Sequence, residues 1–409
     1  MLARLKLPTA DYPRQFWLLF WGMFVNATGA SLVWPFLSIY VRQKLNVPLT
    51  TVGLLLTVQS VFGLLATTVA GPAMDRYGRK AGMLVSLTGN AAMMIAMNAA
   101  RTLPLWVVLS AAYGAFNPVY RVGVTAMVAD MVEPEKRVDA YALMRMIINL
   151  GISIGPAVGG FIAGASYALA FFLAAGTHLA FGLLIVLFVA ETMPEEADGE
   201  TRGRSYLPVL RDRPYMAFMT ALIVSAMSAP IMFVLLPVYI KEQFGIPESG
   251  FGFIMSTNAL MVVTLQYLVT RFSRRHRPLP VLAVGAVFYA LGAGSVAWGR
   301  AFPAFLASMA VLTVGEMLIF PTATALTANL APRDMRARYM GVLNLTWAVG
   351  IGIAPVIGGL LSDHIAPVAM WYGALVLSTS GALGFVWLER SGRRRAAWTQ
   401  PGLETPEGV

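Results

Sequence analysis

Twelve stretches of roughly 20 or more mostly apolar residues recur along the chain, over 15–40, 50–73, 80–99, 104–130, 140–164, 167–190, 215–240, 250–272, 279–299, 303–330, 337–361 and 367–388. A helix of about 20 apolar residues crosses the roughly 30 Å of a bilayer's hydrocarbon, and a spanning helix satisfies its own backbone hydrogen bonds. The rest of the composition agrees: 57% of the 409 residues are hydrophobic and 12% are charged, too few to cover a water-soluble protein of this size. The expected class is therefore an all-α membrane protein with twelve transmembrane helices. Pro35, Pro118, Pro156, Pro237, Pro321 and Pro355 fall inside these stretches. Such prolines are tolerated in membranes, where neighbouring helices satisfy the freed carbonyls.

The formal net charge of +10 would suit a polyanion if it were clustered, but it is sorted by loop. Counting alternate connections from the amino terminus, 23 of the 30 basic residues fall on one side and 5 on the other, with Arg121 and Arg145 inside spans. The positive-inside rule then places both termini in the cytoplasm of a multi-pass cell-membrane protein. The basic excess is topological, and nucleic-acid binding is excluded as its purpose. The first span is too long for a cleaved leader. With no cysteine, disulfides and thiolate metal sites are excluded.

The two halves repeat. Residues 151–160 read GISIGPAVGG and residues 350–359 read GIGIAPVIGG, an offset of 199. The same offset carries Gly53 to Gly252, Gln59 to Asn258 and Arg137 to Arg336. Duplicated bundles are the construction of secondary transporters, whose substrate sites lie at the repeat interface. The division expected is a first bundle over 1–190, a polar cytoplasmic linker over 191–214, a second bundle over 215–390 and a cytoplasmic tail over 391–409.

Between the second and third spans, residues 71–80 read GPAMDRYGRK. Gly71 would let the helix end approach a neighbour, Asp75 offers a carboxylate to a helix amino terminus, and Gly78 permits a tight turn. This stretch resembles the G-x-x-x-D-R-x-G-R-[RK] signature of the major facilitator superfamily at every defined position. Gly151, Gly155, Pro156, Gly159 and Gly160 resemble the fifth-span packing motif of that superfamily's twelve-span drug:proton antiporters. Glycines four apart clear one helix face for close packing. The resemblance covers about residues 15–390. It implies a fold of two pseudo-symmetric six-helix bundles, alternating access, no enzymatic activity, no cofactor and a monomer. It further implies a cytoplasmic gating latch made by Gly71, Asp75, Arg76, Gly78, Arg79, Lys80 and Asp130. In that latch Asp75 would meet the start of span eleven and Arg79 would pair with Asp130. The fourth-span pattern departs from the family at Ser110, where an arginine is expected. Arg274 stands where Asp75 maps in the second half, so the latch is expected to be asymmetric.

Of the twenty acids, Glu316 alone lies near the middle of a span. A charge there costs at least a few kcal/mol, so Glu316 is the expected proton carrier, and Arg121 in span four is its expected partner or the holder of an anionic group. Asn26, Trp34, Gln59, Asn117, Tyr120, Met232, Phe233, Asn344 and Trp347 are candidates for the substrate cavity, where aromatic and methionine surfaces accept varied apolar ligands. His178 reads as a packing residue. No G-x-x-x-x-G-K-[ST] loop is present to bind nucleotide, and no histidine has a second ligand at metal spacing. The expected function is proton-coupled export of amphipathic small molecules or drugs, with lipid, protons and a small-molecule substrate as partners. The alternative is uptake or exchange of a small organic anion held by Arg121.

Overall fold

The computed structural model describes residues 12–192, 206–332 and 335–392. The linker residues 193–205 and the tail residues 393–409, for which the sequence suggests a flexible connection and a cytoplasmic end, lie outside the described residues. The described chain is helical: α1 (Arg14–Val33), α2 (Leu37–Leu45), α3 (Leu49–Tyr77), α4 (Arg79–Ala99), α5 (Leu103–Phe116), α6 (Val119–Met131), α7 (Arg137–Ala165), α8 (Tyr167–Phe188), α9 (Leu207–Arg211), α10 (Arg213–Ala226), α11 (Ser228–Phe244), α12 (Glu248–Ser273), α13 (Pro278–Ser295), α14 (Phe302–Leu330), α15 (Arg336–His364) and α16 (Ala369–Gly392).

Among the described residues, 11 helices are long and apolar enough to cross a membrane, with α1 continuing into α2 and α10 into α11. The fourth span of the sequence reading is broken at Asn117 and Pro118 into α5 and α6, each too short to cross alone. Pro118 has no N–H to continue the ladder. Ser86 of α4 bridges the break, donating to the Phe116 carbonyl (2.6 Å) and accepting from the Tyr120 N–H (3.0 Å). Large apolar side chains such as Leu65, Val69, Phe161, Leu187 and Trp387 are exposed along these helices, as a lipid-facing surface requires.

The helix starts repeat with the sequence. Arg14 and Arg213, Leu49 and Glu248, Arg79 and Pro278, Leu103 and Phe302, and Arg137 and Arg336 each begin paired helices 199 residues apart. Contacts divide the chain into two compact units, Met1–Leu37 with Val61–Glu200, and Ser38–Ser60 with Thr201–Val409.

In the first unit the core gathers Phe16, Leu19, Met83, Leu87, Met127 and Phe181. The motif helix α7 lies on α1 almost backbone to backbone. A Cβ at Gly151 would stand 2.9 Å from the Phe24 carbonyl oxygen, and one at Gly159 would stand 2.6 Å from that of Leu32. At Gly155 it would overlap the Ser31 hydroxyl, which reaches the Gly151 carbonyl at 3.3 Å.

The second unit holds residues 38–60 through α15. Asp363 accepts from the Leu49 and Thr50 amides (3.2 and 2.8 Å) and the Thr50 hydroxyl (2.7 Å), capping the amino end of α3. Nearby, Arg42 bonds Glu242 at 2.5 Å. A Cβ at Gly359 would meet the Thr50 backbone at 2.5 Å, and one at Gly53 would meet that of Val356 at 2.7 Å. Thr57 donates to the Gly352 carbonyl at 2.5 Å. Small residues and one carboxylate therefore seat this segment.

Candidate functional site

Glu316 lies midway along α14 and is only partly exposed. Its Oε2 accepts from Asn258 Nδ2 of α12 at 2.7 Å. The same amide donates to Thr313 Oγ1 at 2.9 Å, and the Thr313 hydroxyl is committed to the Met309 carbonyl at 2.7 Å. Directions are thereby fixed: the threonine oxygen accepts, so Asn258 presents its nitrogen, and both of its hydrogens are used. Oε1 is left as the oxygen that would carry a proton.

The helix around Glu316 is held from both sides. Pro321 cannot donate to the Met317 carbonyl one turn back. Gln266 of α12 donates to that carbonyl at 3.1 Å instead. On the opposite side Gly315 meets the Gly285 carbonyl and Tyr289 of α13, where an added Cβ would stand 2.6 and 2.8 Å away. The Phe320 and Trp347 rings sit 5.5 Å apart between α14 and α15.

In the first unit Arg121 is exposed and, among the described residues, has no ion-pair partner. Asn117, next to the break, donates to the Tyr113 hydroxyl at 2.8 Å. Three expected cavity residues are instead buried in packed interiors. The Oδ1 of Asn26, a residue 0% exposed, accepts at 2.6 Å from His178 Nδ1 of α8. Tyr120 packs edge-on against Phe181. Met232, also 0% exposed, is core of the second unit. Trp34 and Asn344 are exposed, and Gln59, Phe233 and Trp347 are half-buried.

The signature stretch is shorter as a loop than its sequence suggests. α3 runs to Tyr77 and α4 begins at Arg79, leaving Gly78 alone between them at φ 95°. That left-handed backbone favours glycine. A Cβ at Gly78 would also meet a Glu191 oxygen at 2.8 Å, whereas one at Gly71 would meet nothing within 4 Å. Gly71 thus has no close neighbour among the described residues. Arg79 and Asp130 are paired. Glu191, which the sequence reading assigned to the linker, caps α4 by accepting from the Arg79 and Lys80 amides at 3.2 and 3.0 Å. Lys80 Nζ in turn donates to the Val186 and Val189 carbonyls at the end of α8 (2.9 and 2.8 Å). Cation and carboxylate each sit at the helix end whose dipole suits it. Asp75 is exposed, with no ion pair among the described residues, and Arg76 lies 5.2 Å from the Tyr77 ring centroid.

Asn258, Thr313 and Glu191 are not among the site residues that the sequence suggests. For Asn258 a signal existed, because the repeat sets it opposite Gln59.

The sequence model of the Major Facilitator Superfamily matches residues 19–298 and 218–405. The chain belongs to the major facilitator superfamily. As a member of that superfamily it is a multi-pass membrane transporter and not an enzyme. It is 26% identical to a Na(+), Li(+), K(+)/H(+) antiporter of Planococcus maritimus over 90% of this chain and 93% of that one. It is 23% identical to Multidrug resistance protein 1 of Bacillus subtilis, over 90% and 95% of the two chains. Among solved structures it is similar in fold to the nucleoside transporter NupG, with a TM-score of 0.80 and 12% identity over 92% of this chain and all (100%) of that one.

Proposed function

We propose that this superfamily member couples proton movement to export of an amphipathic small molecule by alternating access, with Glu316 as the proton-carrying group. The observation that carries the reading is the position of Glu316. It is the one acid near the middle of a span, and Asn258, shared with Thr313, holds its Oε2, while Oε1 has no hydrogen-bond partner among the described residues. An ionisable side chain at that depth is expensive to keep and marks an ion or substrate pathway. A proton-antiporter name and a multidrug-resistance name among the relatives support antiport and export. The distribution of basic residues supports a cell-membrane orientation with both termini cytoplasmic.

The test is flux in proteoliposomes under an imposed pH gradient, screened against dyes, antibiotics, alkali cations and organic anions. Glu316→Gln keeps the volume and the hydrogen bonding while removing the titration. It should abolish gradient-driven transport and leave the protein folded. Undiminished proton-coupled flux in that variant rejects the assignment. A second reading, exchange of a small organic anion, is favoured by the exposed Arg121 guanidinium, which has no ion-pair partner among the described residues. Anion flux that is lost on Arg121→Gln but survives Glu316→Gln would select it.

A further inference from the structure

α12 and α13 each pack on α14 but scarcely on one another. The space between them is a groove of about 530 Å³, walled by Leu268, Phe272, Val281, Val284, Phe288 and Leu318 with almost no polar surface. That volume is in the range of small-molecule sites, about 300–1,000 Å³. At one end the groove shares Ser273 and His276 with a smaller hollow that is lined by polar side chains, including Thr270, Arg274 and Thr322. Arg274 lines that hollow, with Arg271 in the last turn of α12 before it and Arg275 next to it in the turn to α13. All are exposed, and none has an ion-pair partner among the described residues. Arg277, by contrast, is paired with Glu389 at 3.0 Å.

An apolar groove running into a cationic mouth matches one kind of molecule, a lipid whose chains occupy the groove and whose anionic headgroup lies among the arginines. We infer that the α12–α13 groove is a binding site for a diacyl anionic phospholipid of the membrane leaflet on the side of Arg271, Arg274 and Arg275. The duplicated sequence makes the site local to this half. In the first half the equivalent turn carries Asp75, and in the second the same place is Arg274. The carboxylate that would repel a phosphate has been replaced by a guanidinium that attracts one. Arginine suits the task because its planar donors bind phosphate oxygens in pairs. The inference uses neither Glu316 nor the direction of transport.

The experiment is native mass spectrometry of the purified full chain equilibrated with equal amounts of phosphatidylglycerol and phosphatidylcholine. Phosphatidylglycerol should be retained preferentially. Each arginine near an anionic bilayer surface strengthens binding about five-fold, so Arg271→Gln, Arg274→Gln and Arg275→Gln together should lower retention by about 100-fold. The corresponding three lysine substitutions, which keep charge and topology signal but lose the paired donors, should fall between the parent and the triple glutamine protein. Val284→Trp fills the groove from an exposed position and should reduce retention without touching the arginines. That variant decides the matter if the triple glutamine protein does not fold. Soluble glycerol 3-phosphate, offering the headgroup charge without chains, should not compete at matched concentration. Equal retention of the two lipids, unchanged retention in Val284→Trp, or full competition by glycerol 3-phosphate would overturn the lipid assignment.

Discussion

Gly159 and Gly358 hold the same place in the two copies of the packing motif, yet the same substitution should act differently at each. In α7 an alanine methyl at Gly159 would stand 2.6 Å from the Leu32 carbonyl oxygen, 2.8 Å from its Cα and 3.1 Å from its carbonyl carbon. All three atoms are backbone, so nothing rotates aside, and α1 itself must shift by several tenths of an ångström to restore contact. Overpacking of this kind costs up to about 3 kcal/mol. The gain in helix propensity from glycine to alanine returns about 1 kcal/mol, leaving a net loss near 2 kcal/mol. In α15 a methyl at Gly358 would meet Leu235 Cδ1 at 2.5 Å and otherwise nothing closer than 3.5 Å. A leucine tip can turn, at a cost of about 0.5–1.5 kcal/mol for an imperfect rotamer, and the propensity gain roughly cancels it.

Melting of the two variants in one detergent, followed by tryptophan fluorescence, should therefore separate them. Gly159→Ala should melt well below the parent and Gly358→Ala close to it. Gly164→Ala, where nothing lies within 4 Å, is the neutral control. Equal losses at Gly159 and Gly358, or a larger loss at Gly358, would refute the reasoning, because shared motif sequence and not the neighbouring backbone would then be setting the packing.

Asp363→Ala removes the acceptor for the Leu49 and Thr50 amides and should weaken the α3 cap by about 1–2 kcal/mol. Hydrogen exchange at those two amides should rise by about ten-fold, and unchanged exchange would mean that the glycine contacts alone seat the segment. Combining Glu316→Gln with Asn117→Glu moves the carboxylate to the repeat-equivalent place in span four. Coupled flux should not return, because Gly114 stands where Thr313 supplies a hydroxyl; recovery in the same proteoliposome assay would show that depth in the membrane is sufficient.

Much of the architecture is written in apolar run length and in the 199-residue offset, since both follow from needs that every spanning helix shares. Helix starts reproduced that offset at five places. What sequence could not supply was rotation. Asn26, Tyr120 and Met232 are polar or adaptable residues on helices that have a wet side in transporters, but each is turned into packing by partners distant in sequence, such as His178 and Phe181. Helix continuation was equally hidden. Residues 74–79 fall between the second and third spans in the sequence, yet α3 continues through Pro72 to Tyr77, and only Gly78 leaves helical geometry. The role of Glu191 as a cap was masked because it borders a run of acids that reads as solvated linker.

The duplication also explains why one carboxylate should be singled out. The repeat aligns α5 and α6 with α14 end to end, and it sets Asn117 opposite Glu316, Gly114 opposite Thr313 and Gln59 opposite Asn258. The first half thus keeps an amide, Asn117, where the second has an acid, and it breaks its helix at that same residue. An amide forms hydrogen bonds of fixed charge, whereas an acid changes charge with the proton it carries, which is why the proposed proton carrier is sought at Glu316 and not at Asn117. The same division appears at the α12–α13 turn, where Arg274 replaces the acid that the first copy keeps at Asp75. Two copies with one helix plan have kept the geometry that crossing a bilayer demands. They differ in charge at Asn117 and Glu316 and at Asp75 and Arg274, so the place to look for function in such a chain is where its repeats disagree.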